Sequence, residues 1–181
     1  MSKIRDKFLI INHHDATRPQ LAALVVNAMS DADYRFSEIE ISKPWGLYFS
    51  IENNQADKFM KDFFPELSFN DMRLGNPYAV LTPKILLHLP GQRNSWQYHH
   101  RRAEIWHFIT KGHYHKSLTD SQGRVIAAKP GDIVKFAPRE RHRLVGAPDS
   151  LTFVAEIWQH VDDKLSNEED IIRLEDDFDR K

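Results

Sequence analysis

The strongest constraint on the fold is a series of short, β-prone segments that begins at Tyr78 and is broken by turns at near-regular intervals. Six segments are rich in β-branched and aromatic residues: YAVLTPKILLHL, AEIWHFIT, HYHKSLTD, RVIAA, DIVKF and LTFVAEIWQH. Turn sequences such as PGQRN, DSQG, KPGD and GAPDS separate them. Short strands at such spacing are typical of a β-sandwich or β-barrel. The sequence therefore predicts an all-β core.

Several of these strands are apolar on both faces, as the alternating residues of 104–109 illustrate. A strand with two apolar faces is covered on both sides. One face is expected to line an interior, and the other to pack against either an N-terminal arm or a second subunit. On this ground we expect a homodimer.

Two regions outside the strands have helical patterns. Thr17 is placed to cap a helix with Pro19 in its first turn. The apolar stripe of that helix is Leu21, Leu24, Val25 and Met29. Residues 53–76 contain a second pattern, with Phe59, Met60, Phe63 and Phe64 at helical spacing. We therefore predict an N-terminal helical arm over residues 1–40 and a helical insertion at 53–76, within one globular domain.

The closing segment, SNEEDIIRLEDDFDRK, places Ser166 and Glu169 at the spacing of a capping box. A short amphipathic stretch and an acidic end follow. The pattern favours a solvated tail.

Composition excludes several classes of function. The chain has 25 basic and 26 acidic residues and a net charge of -1, which gives no basic surface for a nucleic acid or an anionic membrane. It has no cysteine, so thiolate ligands and a cysteine nucleophile are excluded. The N-terminus has only a brief apolar run, and no apolar stretch approaches the ~20 residues of a membrane span. A cytoplasmic protein is expected.

One group of polar residues has the spacing of a metal site. Gln97 and His99 are two residues apart, so on a strand they point to the same face, and Glu104 can return to that face if the chain bends. His142 follows a predicted strand and could supply a fourth donor. Such donors suit Zn, Mn, Fe, Co or Ni without selecting one. The other histidines show no comparable pattern and are interpreted as surface or core residues.

Four stretches resemble the cupin domain of type II mannose-6-phosphate isomerases. PGQRNSWQYHHRRAEIW is similar to the first cupin motif of that family, P-G-E-R-x-S-x-Q-x-H-H-H-R-A-E-x-W, without gaps. KPWG resembles R-P-W-G, HRLVGAP resembles H-R-L-x-N-P-G, and EEDIIRLEDDFDR resembles E-D-D-I-V-R-x-E-D-x-Y-G-R. The turn PRERH before His142 departs from the family pattern, because it is one residue shorter and has Glu140 in place of glycine.

The resemblance implies a cupin-type double-stranded β-helix, a jelly-roll barrel, over residues 41–181. It implies that Gln97, His99, Glu104 and His142 bind one divalent metal ion, with Zn the first choice. It also implies that Arg102 and Arg143 lie near the mouth of the site. Each arginine could bind a phosphate or hold a carboxylate in place.

The function that the resemblance implies is metal-dependent aldose-ketose isomerisation of a sugar phosphate. Such a reaction needs a base within reach of two adjacent carbons. Glu156 is one candidate because it lies on a strand with apolar neighbours, and Lys84 is another. Two alternatives are a non-catalytic cupin that binds a sugar or sugar nucleotide, and an iron-dependent cupin dioxygenase.

Overall fold

The strands of the protein form two antiparallel sheets packed face to face. A computed structural model describes residues 3–11, 15–160 and 168–180. The larger sheet has six strands in the order β1 (Phe36–Glu40), β2 (Gly46–Ile51), β3 (Leu81–His88), β10 (Thr152–His160), β5 (Arg102–Phe108), β8 (Ile133–Phe136). The smaller has five in the order β11 (Ile171–Glu175), β4 (Trp96–His99), β9 (Arg141–Gly146), β6 (Gly112–Ser117), β7 (Ile126–Ala128). The predicted all-β core is confirmed.

Helices occur in both of the regions where the sequence predicts them. They are α1 (Lys3–Leu9), α2 (Arg18–Ser30), α3 (Ala56–Phe63) and α4 (Phe69–Met72). The backbone N–H of Thr17 donates to Oε1 of Gln20 at 2.8 Å, which closes the first turn of α2. None of the described helices is long and apolar enough to cross a membrane.

The larger sheet is apolar on both faces because it separates two hydrophobic clusters. Its outer face packs on the helices: Ile105 belongs to the outer cluster, and the Phe8 ring of α1 lies 5.2 Å from the Phe153 ring of β10. Its inner face, which includes Trp106, packs toward the smaller sheet and meets Leu144. Full burial of one large apolar side chain contributes about 1.5–3 kcal/mol to the free energy of unfolding. The outer face was expected to pack against either the N-terminal arm or a second subunit. In the structure, helices cover it.

The closing segment differs from the sequence-based expectation. Ser166 lies outside the described residues, so its capping role is not described. Glu168–Asp170 form a single turn of 3-10 helix, and β11 then pairs antiparallel with β4, with Ile171 opposite His99. Residues 171–175 are therefore an edge strand of the smaller sheet rather than a solvated tail, because pairing with β4 satisfies their backbone.

His88 is a polar residue at the buried end of β3. Its ring stacks on Trp45 with centroids 4.4 Å apart, and neither ring nitrogen has a hydrogen-bond partner among the described residues. Burial, assisted by the positive charge of Arg180, lowers the pKa of His88 from 6.5 to about 3. His88 is therefore neutral at physiological pH.

We expect His88 to make the fold sensitive to acid. Its pKa is lower in the folded than in the unfolded chain, so the free energy of unfolding falls as pH drops from about 6.5 towards 3, by up to about 1.4 kcal/mol per pH unit. His88→Phe keeps an aromatic ring but removes the titration. Denaturant unfolding of this variant should show a stability profile flatter by about 2 kcal/mol between pH 7 and 5.

The matched control is His100→Gln, since His100 is exposed. Its profile should follow that of the unaltered chain. A His88→Phe profile as steep as that of the unaltered chain would contradict the assignment.

Candidate metal site

Glu104 lies at the centre of the candidate site, on the inner face of the six-stranded sheet. Its cross-strand neighbours are Trp158 on β10 and Phe136 on β8, so the carboxylate stands between two aromatic side chains. Glu104 is only 2% exposed. A carboxylate buried to this extent is stable as an anion only when it is paired.

Two histidines of the smaller sheet lie close to Glu104. His99 ends β4, and His142 lies on β9. Nε2 of His99 is 3.0 Å from Oε1 of Glu104, and Nε2 of His142 is 3.3 Å from Oε2. The three side chains each offer a ligand atom within 4.8 Å of the other two. Metal–ligand bonds of roughly 2.1 Å allow such separations, so the three could hold one ion.

The shortened turn before His142 delivers this residue to the site. Nδ1 of His142 lies 2.9 Å from the carbonyl oxygen of Glu140, so Nδ1–H donates and Nε2 faces Glu104. Arg139 adopts a φ of 64°, and its backbone N–H donates to the carbonyl of His99 at 2.7 Å. That hydrogen bond ties the turn to the strand that carries the other imidazole.

The ionisation states of His99 and Glu104 fit a divalent cation. Burial lowers the pKa of His99 to about 4, so its imidazole is neutral at physiological pH. Burial opposes ionisation of Glu104, but His99 and His142 hold the pKa of this carboxyl well below its usual value. Oε2 of Glu104 and Nε2 of His142 have no hydrogen-bond partner among the described residues. A carboxylate and a neutral imidazole are the forms that bind metal.

Arg102 contacts the candidate ligands. Its Nε donates to Oε1 of Glu104 at 3.0 Å, and its Nη2 lies 3.2 Å from Nε2 of His99. The guanidinium is 1% exposed and lies 3.5 Å from the centre of the Trp158 ring. Of the two roles considered for Arg102, these contacts favour holding the carboxylate. Its contact with a substrate stays a prediction.

Gln97 lies beside the three residues. It is directly opposite His142 in the pairing of β4 with β9, so both side chains face the interior. Its Oε1 accepts a hydrogen bond from Oγ of Ser95 at 2.5 Å. Its role as a fourth ligand stays a prediction.

Both predicted catalytic residues lie in the wall of the cavity that contains Glu104. Glu156 on β10 is directly opposite Lys84 on β3. Nε1 of Trp106 donates to Oε1 of Glu156 at 2.9 Å. Burial, reinforced by repulsion from Glu104, raises the pKa of Glu156 to about 8. Nζ of Lys84 lies 3.3 Å from the centre of the Trp158 ring.

Arg143 does not lie with the other predicted residues. Adjacent residues of a strand point to opposite faces, so Arg143 points away from the face of His142. Its Nη2 donates to Oδ1 of Asp177 at 2.8 Å, and its Nε donates to the carbonyl of Asn94 at 2.6 Å. Arg143 is not among the described residues that line the cavity. These contacts favour a structural role, and its contact with a substrate stays a prediction.

The cavity also contains residues that sequence analysis did not single out. They are mainly aromatic or basic: Trp45, Tyr48, Trp158, Lys43, Arg173 and Arg180. Lys43 belongs to KPWG, and the two arginines belong to EEDIIRLEDDFDR. The two motifs thus indicated that these segments matter for the site. A single sequence does not indicate that both segments line the same cavity.

Metal content is the direct test of this site. Glu104→Gln keeps the shape of the side chain and removes the anionic ligand, so we expect divalent metal affinity to fall at least about 100-fold. Zinc titration with a competing chelator measures the change. Glu140→Gln is the matched control, because Glu140 contacts His142 only through its backbone carbonyl. Unchanged affinity in Glu104→Gln would mean that the ligands lie elsewhere.

No family model matches the sequence, and no curated protein matches it. An oxalate decarboxylase aligns with 78% of this chain and 31% of its own, at 15% identity and a TM-score of 0.51. A Cupin 2 conserved barrel domain protein from Salinispora arenicola aligns with 45% of this chain and 64% of its own, at 21% identity and a TM-score of 0.39.

A sugar phosphate isomerase of the cupin superfamily from Silicibacter pomeroyi aligns with 51% of this chain and 65% of its own, at 12% identity and a TM-score of 0.40. This chain therefore spans less than two thirds of the length of either cupin. Likeness at these identities concerns the fold alone. Two antiparallel sheets that enclose a buried His-Glu-His cluster give this chain the cupin fold, a double-stranded β-helix.

Proposed function

We propose that this chain is a metal-dependent sugar-phosphate isomerase that interconverts an aldose and a ketose. The observation that carries the proposal is the position of Glu156. This buried carboxyl, with a pKa raised to about 8, lines the same cavity as Glu104 of the candidate metal site. A group that titrates near neutral pH can both accept and return a proton. The sequence resemblance makes mannose 6-phosphate and fructose 6-phosphate the first pair to test.

The candidate ligands His99, Glu104 and His142 would hold one divalent ion, with zinc the first choice and Mn, Fe, Co or Ni as alternatives. When bound, such an ion supplies the Lewis acidity that polarises the carbonyl and the neighbouring hydroxyl of an open-chain sugar. Arg102 keeps Glu104 in place through the hydrogen bond from its Nε. The chain thereby holds the ligands in a fixed geometry before substrate enters.

Glu156 would move the proton between the two carbons. In the aldose-to-ketose direction, its carboxylate takes the proton from carbon 2 and returns it to carbon 1, while the proton of the carbon 2 hydroxyl moves to the carbon 1 oxygen. The hydrogen bond from Nε1 of Trp106 orients the carboxylate. The positive charge of Lys84 opposes the rise in the pKa of Glu156, which keeps the group close to neutral pH.

Glu156→Gln tests this assignment. The amide keeps an acceptor for Trp106 but cannot take up the proton, so we expect kcat to fall at least about 100-fold while metal content is unchanged. The measurements are turnover of a panel of aldose and ketose phosphates by zinc-, manganese- or cobalt-loaded protein, and exchange of the carbon 2 proton with deuterium. Absence of turnover with every pair would reject the proposed function. Full exchange in Glu156→Gln would reject the base.

A second function is favoured by the ligand set itself. Two histidines and one carboxylate are also the ligands of non-haem iron oxygenases, and His99, Glu104 and His142 match that set. Oxygen consumption by the ferrous protein, measured with sugars and small carboxylic acids, would support the dioxygenase. The two functions are separated by anaerobic assay, because isomerisation needs no oxygen.

A further inference from the structure

Three basic residues from separate parts of the chain line the cavity of Glu104 and Glu156. Lys43 lies in the loop between β1 and β2, Arg173 on β11, and Arg180 near the end of the chain. All three are half-buried, whereas Glu104 and Glu156 are buried. The two carboxyl groups therefore form the floor of the cavity, and the basic residues lie at its mouth.

Arg173 is positioned by the register of the smaller sheet. It is directly opposite Gln97 across β11 and β4, and Gln97 is directly opposite His142 across β4 and β9. Directly opposed side chains share a face of the sheet. The three residues therefore form a row on the inner face, and at about 4.8 Å per strand Arg173 lies roughly 10 Å from His142 along it.

Lys43 is positioned by the N-terminal arm. Nη1 of Arg18 on α2 donates to the carbonyl of Lys43 at 2.6 Å and to that of Gly46 at 2.9 Å, which fixes the loop. Nζ of Lys43 makes no ion pair of 4 Å or less with any described residue. Hydrogen bonds from Ser42 lower the pKa of the half-buried Glu40, and the positive charge of Lys43 adds to this effect.

The charged residues that line the cavity are mostly basic. The basic residues among its lining are Lys43, Lys84, Arg102, Arg173 and Arg180, and the acidic residues are Glu104 and Glu156. Asp176, which is outside the lining, adds one negative charge through its contact with Arg180 at 2.6 Å. Among the described lining residues, basic side chains therefore outnumber acidic ones by five to two. A phosphate monoester carries about −1.5 to −2 charges near neutral pH, so a mainly basic lining suits it.

We propose that Lys43, Arg173 and Arg180 form an anion subsite that binds the phosphoryl group of the substrate. The phosphoryl group lies at the mouth, and the carbonyl end of the sugar lies on the floor with Glu104 and Glu156. Guanidinium groups suit phosphate oxygens because they donate in a planar fork. The identity of the substrate as a sugar phosphate rests on the proposed function, but the subsite is testable without turnover.

The test uses a hexitol and its 6-phosphate, neither of which has a carbonyl to isomerise, and inorganic phosphate as a third probe. Calorimetric titration of the full chain should give tighter binding of the hexitol phosphate than of the hexitol, by roughly tenfold or more. Lys43→Gln and Arg173→Gln should each remove most of that preference. Lys111→Gln should keep it, because Lys111 is exposed and pairs with Asp149 instead.

Lys43→Gln decides the proposal, since Lys43 lies in a half-buried loop whose backbone is held by Arg18, and unchanged circular dichroism verifies its fold. Equal phosphate preference in Lys43→Gln and Lys111→Gln would overturn the subsite. A chain that binds the hexitol phosphate through Lys43 but isomerises nothing rejects the proposed function and leaves the subsite standing. If inorganic phosphate binds to the unaltered chain but not to Lys43→Gln, the subsite is supported as a site for phosphate in general.

Discussion

The constraint on which the structure depends is the close approach of residues from both sheets to one buried carboxylate, Glu104. Taking an unpaired carboxylate out of water costs several kcal/mol or more. Arg102 on the same strand and His99 and His142 from the opposite sheet lie within 3.3 Å of its oxygens. The two sheets must therefore keep a fixed separation and register, which is also what a metal site requires.

The sequence predicts the all-β core well because each strand carries its own signals. Ile105 of β5 belongs to the outer hydrophobic cluster and its neighbours Trp106 and Phe108 to the inner one, and the turns between strands are rich in glycine and proline. The closing strand is different. Its formation depends on a partner, β4, that lies about 70 residues earlier in the chain, as the pairing of Ile171 with His99 indicates. No local pattern encodes such a distant pairing, so the segment resembled a solvated tail.

The candidate ligands could be predicted from their spacing, because side chains alternate between the two faces of a strand. The same rule says which face each arginine occupies, but not whether it binds a substrate. Alternation along a strand places Arg102 and Glu104 on one face and puts Arg143 on the face opposite to His142. The structure has both relations: Arg102 donates to Glu104, and Arg143 donates to Asp177 away from the cavity. Alternation along a strand cannot predict the basic mouth of the cavity. Lys43 and Arg173 are far apart in the sequence and line one cavity only because the barrel closes.

The N-terminal arm affects the site as well as the outer face of the barrel. The apolar outer face of the strands was the reason to expect a homodimer from the sequence. Because the helices cover that face, it no longer supports a dimer, which stays a prediction. The arm also carries Arg18, whose guanidinium donates to four carbonyls of residues 41–46. That loop bears Lys43 and Trp45, which both line the cavity. The arm is thus connected to the mouth of the cavity, because Arg18 holds the backbone of the loop that carries both residues.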